Sequence, residues 1–138
     1  MHSDRSQPVR VVPDASVLVK TFRPEQGSEE AVSMLDMSGR GEIILVLPAL
    51  ALEEALNVAR RELGVPEARV VWTAFLETES PVIGIDDVVV QTALDVCELY
   101  GCTFYDAVAP AVAQLAGATL WSGDRRAHGR IPGVVLVG

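Results

Sequence analysis

Short apolar runs alternate along this chain with longer stretches in which apolar residues return every three or four positions. Val9 to Pro13 reads as a buried strand that enters a loop at Asp14. Gly27 to Gly39 reads as a helix with Ala31, Val32 and Leu35 turned inward. Ile43 to Leu47 is a second strand, closed by Pro48, a favourable first residue for a helix. That helix runs from about Ala49 to Leu63 with Leu52, Leu56, Ala59 and Leu63 on one face, and Gly64 stops it. Pro66 opens another helix through about Thr78, and Val82 to Ile85 is a third strand. Asp86 or Asp87 caps a helix with an inward stripe of Val90, Ala93, Leu94 and Cys97, ended by Gly101. Thr103 can cap the next, which carries Phe104, Val108, Val112 and Leu115 and ends at Gly117. Thr119 to Ser122 and Val134 to Val137 complete five strands.

Strands that alternate with helices imply a sheet of mostly parallel strands with both faces covered. The expected fold is α/β: a three-layer α/β/α domain around a central, mostly parallel, five-stranded sheet. No repeat, linker or low-complexity stretch divides it, so residues 1–138 read as a single domain, with residues 1–7 as a loose N-terminal tail.

In such a sheet the helix N-termini and the strand C-termini share one edge, where ligands bind. Four acids fall there. Asp14 follows the first strand, Glu54 lies in the second turn of the helix after the second, Asp106 opens the helix before the fourth, and Asp124 follows the fourth. Each alone has an ordinary explanation as a turn or cap residue. Glu53 shares a line with Asn57 and Arg60 and belongs to a polar face, whereas Glu54 lies between Leu50 and Val58, where a carboxylate is poorly solvated. Four carboxylates at one edge repel one another and raise one another's pKa unless a cation joins them. Hard oxygen ligands in this number suit Mg²⁺ or Mn²⁺.

Composition narrows the rest. A net charge of -8 argues against a partner bound through the protein's own basic residues, although a site that recruits cations brings positive charge another way. Cys97 and Cys102 have no zinc-type spacing and read as two half-buried free thiols of a reducing compartment. Met1 to Arg10 lacks the apolar core of a signal peptide, and Ile43 to Leu52 is too short to span a bilayer. A soluble, cytoplasmic protein with no membrane association is expected.

With these residues in place the chain resembles the PIN-domain family, and within it the VapC-type toxins of prokaryotic toxin–antitoxin pairs. Val11-Val12-Pro13-Asp14-Ala15-Ser16-Val17-Leu18 looks like the family's opening motif, and Pro48 with Glu54 and Asn57 is similar to its second. Tyr105-Asp106-Ala107 resembles the third, and Ser122-Gly123-Asp124-Arg125-Arg126 the fourth. The ordered set spans essentially the whole chain. The resemblance implies that Asp14, Glu54, Asp106 and Asp124 are the catalytic, metal-holding acids, with Ser16 and Ser122 as supporting polar residues. One departure stands out: Pro110 sits inside the Asp106 helix, where the family has an ordinary helix former, and should kink it.

The expected reaction is hydrolysis of an RNA phosphodiester by a metal-activated water. Arg125, Arg126 and Arg130 either grip phosphates or form a solvated loop; His128 stands alone in that loop. The resemblance further implies a cognate antitoxin whose basic side chain enters the acidic site. A homodimer is expected too, partly from the resemblance and partly because the mean hydropathy is high for so small a domain, at +0.29. The alternatives are a catalytically silent PIN-like module that binds RNA or protein, and a PIN nuclease of RNA processing without an antitoxin. Other acidic sheet edges fit less well. A HAD-type phosphatase needs a second Asp where Ser16 stands, and a receiver domain needs a late lysine, but none follows Lys20. Neither GxxxxGK[ST] nor GxGxxG is present.

Overall fold

A computed structural model of the chain describes residues 7–138, so most of the tail expected over 1–7 lies outside the described residues. Thirteen elements follow one another in the described part: β1 (Val9–Pro13), α1 (Ala15–Lys20), α2 (Ser28–Gly39), β2 (Ile43–Leu45), β3 (Leu47–Pro48), α3 (Ala49–Leu63), α4 (Val65–Leu76), β4 (Val82–Ile83), α5 (Asp87–Tyr100), α6 (Phe104–Ala116), β5 (Thr119–Ser122), α7 (Arg125–His128) and β6 (Val135–Leu136).

β1 is the centre of a parallel four-stranded sheet ordered β2-β1-β5-β6. β3 and β4 form a parallel two-stranded ladder beside it. The run expected as one strand over Ile43 to Leu47 therefore serves both ladders, and the sheet is four strands plus two rather than five continuous ones. Pro13 accounts for the break. The β1–β2 register ends at Val11↔Leu45, with Val46 N–H donating to Val11 O at 2.9 Å, and Pro13 has no N–H to carry the ladder further. Leu47 N–H turns instead to Pro81 O at 2.9 Å.

Successive β1 residues alternate between the two faces. Val11 packs with α1, α2, α3 and α4 through Leu18, Met34, Ala55 and Phe75. Val12 packs with α5 and α6 through Val89, Val108 and Val112. Three layers result, as expected.

The helix boundaries agree closely with the apolar periodicity, but two helices lack a counterpart in it. α1 occupies what reads as a loop after Asp14, and α7 is a single turn within the Arg-rich loop. Both are too short for a period to show. The expected inward stripes also rotate. Val32, Leu63, Leu94 and Leu115 are exposed, while Met34, Ala55, Val89 and Val96 are buried. On α5 and α6 the reason is size: Ala93, Ala107 and Ala111 are fully buried against one another, and small side chains let the two helices approach closely. Both cysteines are half-buried free thiols.

α6 runs unbroken through Pro110. Its small residues pack closely against α5, so overpacking there should be costly. Ala111→Leu is expected to destabilise the protein by about 1–3 kcal/mol in denaturant unfolding. A change within experimental error would show that α5 and α6 do not pack this way.

Candidate active site

The C-terminal end of β1 delivers Asp14 to the edge of the sheet, between the ends of two neighbouring strands. Its backbone N–H donates to Trp121 O at 3.0 Å, which seats it against β5. The side chain then serves two directions. Oδ1 caps α1, accepting from Val17 N at 3.2 Å and from Ser16 Oγ at 2.5 Å. Oδ2 accepts from Ser122 Oγ at 2.8 Å. Only 7% of Asp14 is exposed, so these donors are what make its burial tolerable.

The other three acids arrive from separate elements. Thr103 Oγ1 caps α6 by accepting from Asp106 N at 3.1 Å, which places Asp106 in the first turn. Asp124 caps α7 through Ala127 N at 3.0 Å. Glu54 stands in the second turn of α3. Asp14, Glu54, Asp106 and Asp124 all line one cavity of about 160 Å³, together with Ser16, Tyr105 and His128. Ser122 lies fully buried behind Asp14. Glu53 does not line the cavity, in keeping with its place on the polar face. Glu54 is nevertheless exposed, because Leu50 and Val58 on its line are only half-buried.

The basic residues divide. Arg126 and Arg130 line an adjoining groove of about 360 Å³ that shares Asp106 and Asp124 with the acidic cavity. Arg130 donates to Tyr100 O, which fixes its direction. Arg125 is exposed and lines neither.

His128 is the residue the sequence pattern missed. It reads as an isolated loop histidine, yet it is 3% exposed and lies in the wall of the acidic cavity. Nδ1 lies 2.7 Å from Ser122 Oγ and 3.1 Å from Asp14 Oδ2, and Nε2 lies 2.7 Å from Asp106 O. A usable signal was its place four residues after Asp124, which one helical turn brings to the same side.

Charge is distributed unevenly among the acids. Burial would raise the Asp14 carboxyl, but donors from His128, Ser16 and Ser122 and the charge of His128 together hold it below its ordinary value. Burial would lower the His128 imidazole, but Asp14 and the Asp106 carbonyl carry it above its ordinary value. Burial, with the charges of Asp14, Asp106 and Glu53, raises Glu54. Mutual elevation, expected for the whole set, thus holds for Glu54 and fails for Asp14, which has its own compensating donors.

Among the described residues no three carboxylates, imidazoles or thiols converge closely enough to enclose a bare cation. A divalent ion that keeps several of its waters needs only one or two carboxylates at contact, with others reached through water. An open cavity lined by four carboxylates, one of them raised by burial and its neighbours' charge, fits such an ion.

The PIN domain family model matches residues 11–133, and the chain belongs to the PIN-domain family. No curated relative matches by sequence alone. Among solved structures, the chain resembles VapC20 of Mycobacterium tuberculosis, described as a sarcin-ricin loop cleaving toxin. The TM-score is 0.71 at 16% identity, over 92% of this chain and 98% of that one. A toxin–antitoxin complex from Klebsiella pneumoniae aligns with a TM-score of 0.70 at 19% identity, covering 91% and 95%. VapBC2 from Rickettsia felis, bound to a DNA fragment from its promoter, aligns at 0.70 and 14% identity, covering 93% and 97%. At these identities the likeness is one of fold.

The Asp14–His128 pair predicts a pH dependence for the metal-free protein. Asp14 is lowered on folding, so its contribution is present above the ordinary Asp value and lost as pH falls through its folded value. His128 is raised, so its contribution is complete below an ordinary value of about 6.5 and lost as pH rises through its folded value. Glu54, raised, adds a cost that grows as pH climbs past the ordinary glutamate value. With chelator present, the melting temperature should therefore peak in mildly acidic solution and fall toward alkaline pH. In His128→Phe the alkaline fall should be much smaller. Equal alkaline slopes in the two proteins would contradict the pairing.

Proposed function

We propose that this PIN domain is a divalent-metal-dependent ribonuclease, the toxin of a type II toxin–antitoxin pair. The observation that carries the proposal is the meeting of Asp14, Glu54, Asp106 and Asp124, from four separate elements, in one cavity at the sheet edge. Membership of the PIN family and the likeness in fold to VapC toxins support it.

In this reading the four acids are the catalytic site and hold Mg²⁺ or Mn²⁺. When bound, the metal supplies a water activated for attack on phosphorus and stabilises the leaving oxygen. The chain does the rest. Asp14, held by Ser16 and Ser122, presents a fixed carboxylate, while Glu54 of α3 lines the same cavity with a more exposed one. Arg126 and Arg130 border the groove that enters the cavity and grip the phosphates that flank the scissile bond. Arg125 remains a solvent-facing basic residue beside them. The acids are also a ready target for a partner: an antitoxin arginine laid among them replaces the metal's charge and pairs in a fixed fork.

Two copies of the chain join through α3 and α4, where Leu63, Val65, Val70 and Leu76 are exposed. No described helix is long and apolar enough to cross a membrane; an RNA substrate of the toxin kind would be met in the cytoplasm.

Purified protein should cleave RNA when Mn²⁺ or Mg²⁺ is added. Asp14→Asn should lower the rate by more than the roughly 100-fold that loss of an outer-shell partner can cost. A folded Asp14→Asn protein that retains activity would refute the assignment. Added Mn²⁺ at neutral pH should raise the melting temperature, equivalent to about 2.7 kcal/mol at a hundredfold excess over Kd. An Asp14→Asn/Asp106→Asn double variant should show no such rise; an equal rise would put the ion elsewhere. Light scattering at micromolar concentration should report a dimer, and Val70→Glu should return it to a monomer.

A further inference from the structure

Pro110 and His128 look like unrelated oddities, one a helix breaker inside α6 and the other a buried histidine outside the acidic set. They meet at one atom. In an α-helix the carbonyl of Asp106 accepts from the N–H of residue 110, and Pro110 has none. That carbonyl is left open beside the site, and His128 Nε2 lies 2.7 Å from it. A carbonyl only accepts, so Nε2 carries the hydrogen and donates. With Nε2 committed, the ring is oriented and Nδ1 faces Ser122 Oγ at 2.7 Å and Asp14 Oδ2 at 3.1 Å. Ser122 Oγ in turn accepts from Asp124 N at 3.0 Å. One buried ring thus ties together the end of β1, the end of β5 and the first turn of α6.

We infer that Pro110 and His128 form a single positioning device, in which the proline frees the Asp106 carbonyl so that the histidine can lock the Asp14 carboxylate in register with Asp106 and Asp124. The inference rests on the reading of these acids as the metal site. His128 does not touch the reacting atoms in this arrangement; it acts through Asp14. Toward the Asp14–Ser122 pair Nδ1 donates, because Ser122 Oγ gives its one hydrogen to Asp14 Oδ2 and a carboxylate only accepts. Pro110 forgoes one hydrogen bond of the helix, and the bond it makes available to His128 offsets only part of that loss.

Substitutions can separate the two ends of the ring. The amide nitrogen of His128→Asn stands close to Nδ1 and can still reach Asp14. That of His128→Gln stands close to Nε2 and can reach only the Asp106 carbonyl. His128→Phe fills the space and makes neither bond. Mn²⁺ affinity of the full chain, measured by calorimetry at neutral pH, should fall about tenfold in His128→Phe, the scale of losing an outer-shell partner. It should recover largely in His128→Asn and little in His128→Gln, while kcat falls more than KM rises in Phe and Gln. Pro110→Ala, which restores a competing N–H, should raise the melting temperature yet weaken Mn²⁺ binding severalfold.

A metal-free measurement tests the same device. The His128 Nε2–H resonance should be visible and protected from exchange in the native chain, and broadened in Pro110→Ala. If the ring is only packing, His128→Phe binds Mn²⁺ like the native protein and His128→Asn, leaving a polar group in a poorer fit, binds worse than Phe. That order, or an unprotected Nε2–H in the native chain, overturns the device and leaves the nuclease reading standing. A protected Nε2–H in a native chain that binds no Mn²⁺ overturns the metal site itself, and the role given to the ring with it.

Discussion

A carboxylate buried at the end of the central strand is the constraint on which this site depends. Asp14 comes out of water at the point where β1, α1 and β5 meet, and an unpaired buried charge there would cost several kcal/mol (roughly 3–5 by analogy with broken buried pairs). It is met instead from three directions. The start of α1 offers Val17 N–H and Ser16 Oγ, the end of β5 offers Ser122 Oγ, and α7 brings His128. The same bonds that make the charge tolerable hold these elements together, so solvating Asp14 and assembling the cavity are one event.

The close fit has a backbone requirement of its own. Gly123 follows Ser122 and donates to Ser16 Oγ at 2.8 Å, which brings the β5–α7 turn against α1. A Cβ at residue 123 would stand 2.6 Å from Lys20 Cε and 3.1 Å from Ser16 Oγ. Glycine suits this close approach, and beside it the Ser122 hydroxyl serves two acids at once, donating to Asp14 Oδ2 and accepting from Asp124 N.

Uneven compensation among the acids has a chemical sense. Asp14, lowered by its donors, stays ionised and rigid. Glu54, raised by partial burial and then by the charges of Asp14, Asp106 and Glu53, would have its ionised form favoured by a cation. In the proposed reading, a cavity with one braced and one poorly compensated carboxylate would take an ion without having to collapse around it. Arg126 and Arg130 put positive charge in the adjoining groove and not in the acidic cavity itself.

The chain order of strands and helices, the caps at Asp86 and Thr103 and the four acids at one edge were legible in the sequence. Each of these rests on local rules: apolar periodicity, capping chemistry and the geometry of parallel sheets. The separation of Glu54 from Glu53 rested on the same periodicity. Other features needed contacts between distant parts of the chain. Rows of comparable apolarity on α5 led to a stripe through Val90, but packing against Val12, Val108 and Val112 buries Val89 instead. Pro13 read as the end of a strand, but only its neighbours show that its missing N–H divides the second apolar run between two ladders. His128 was a lone loop residue and Pro110 a departure from pattern until the fold brought the ring against an open carbonyl 22 positions away. Local sequence determines which backbone groups lack a partner, and tertiary structure decides which side chain supplies one.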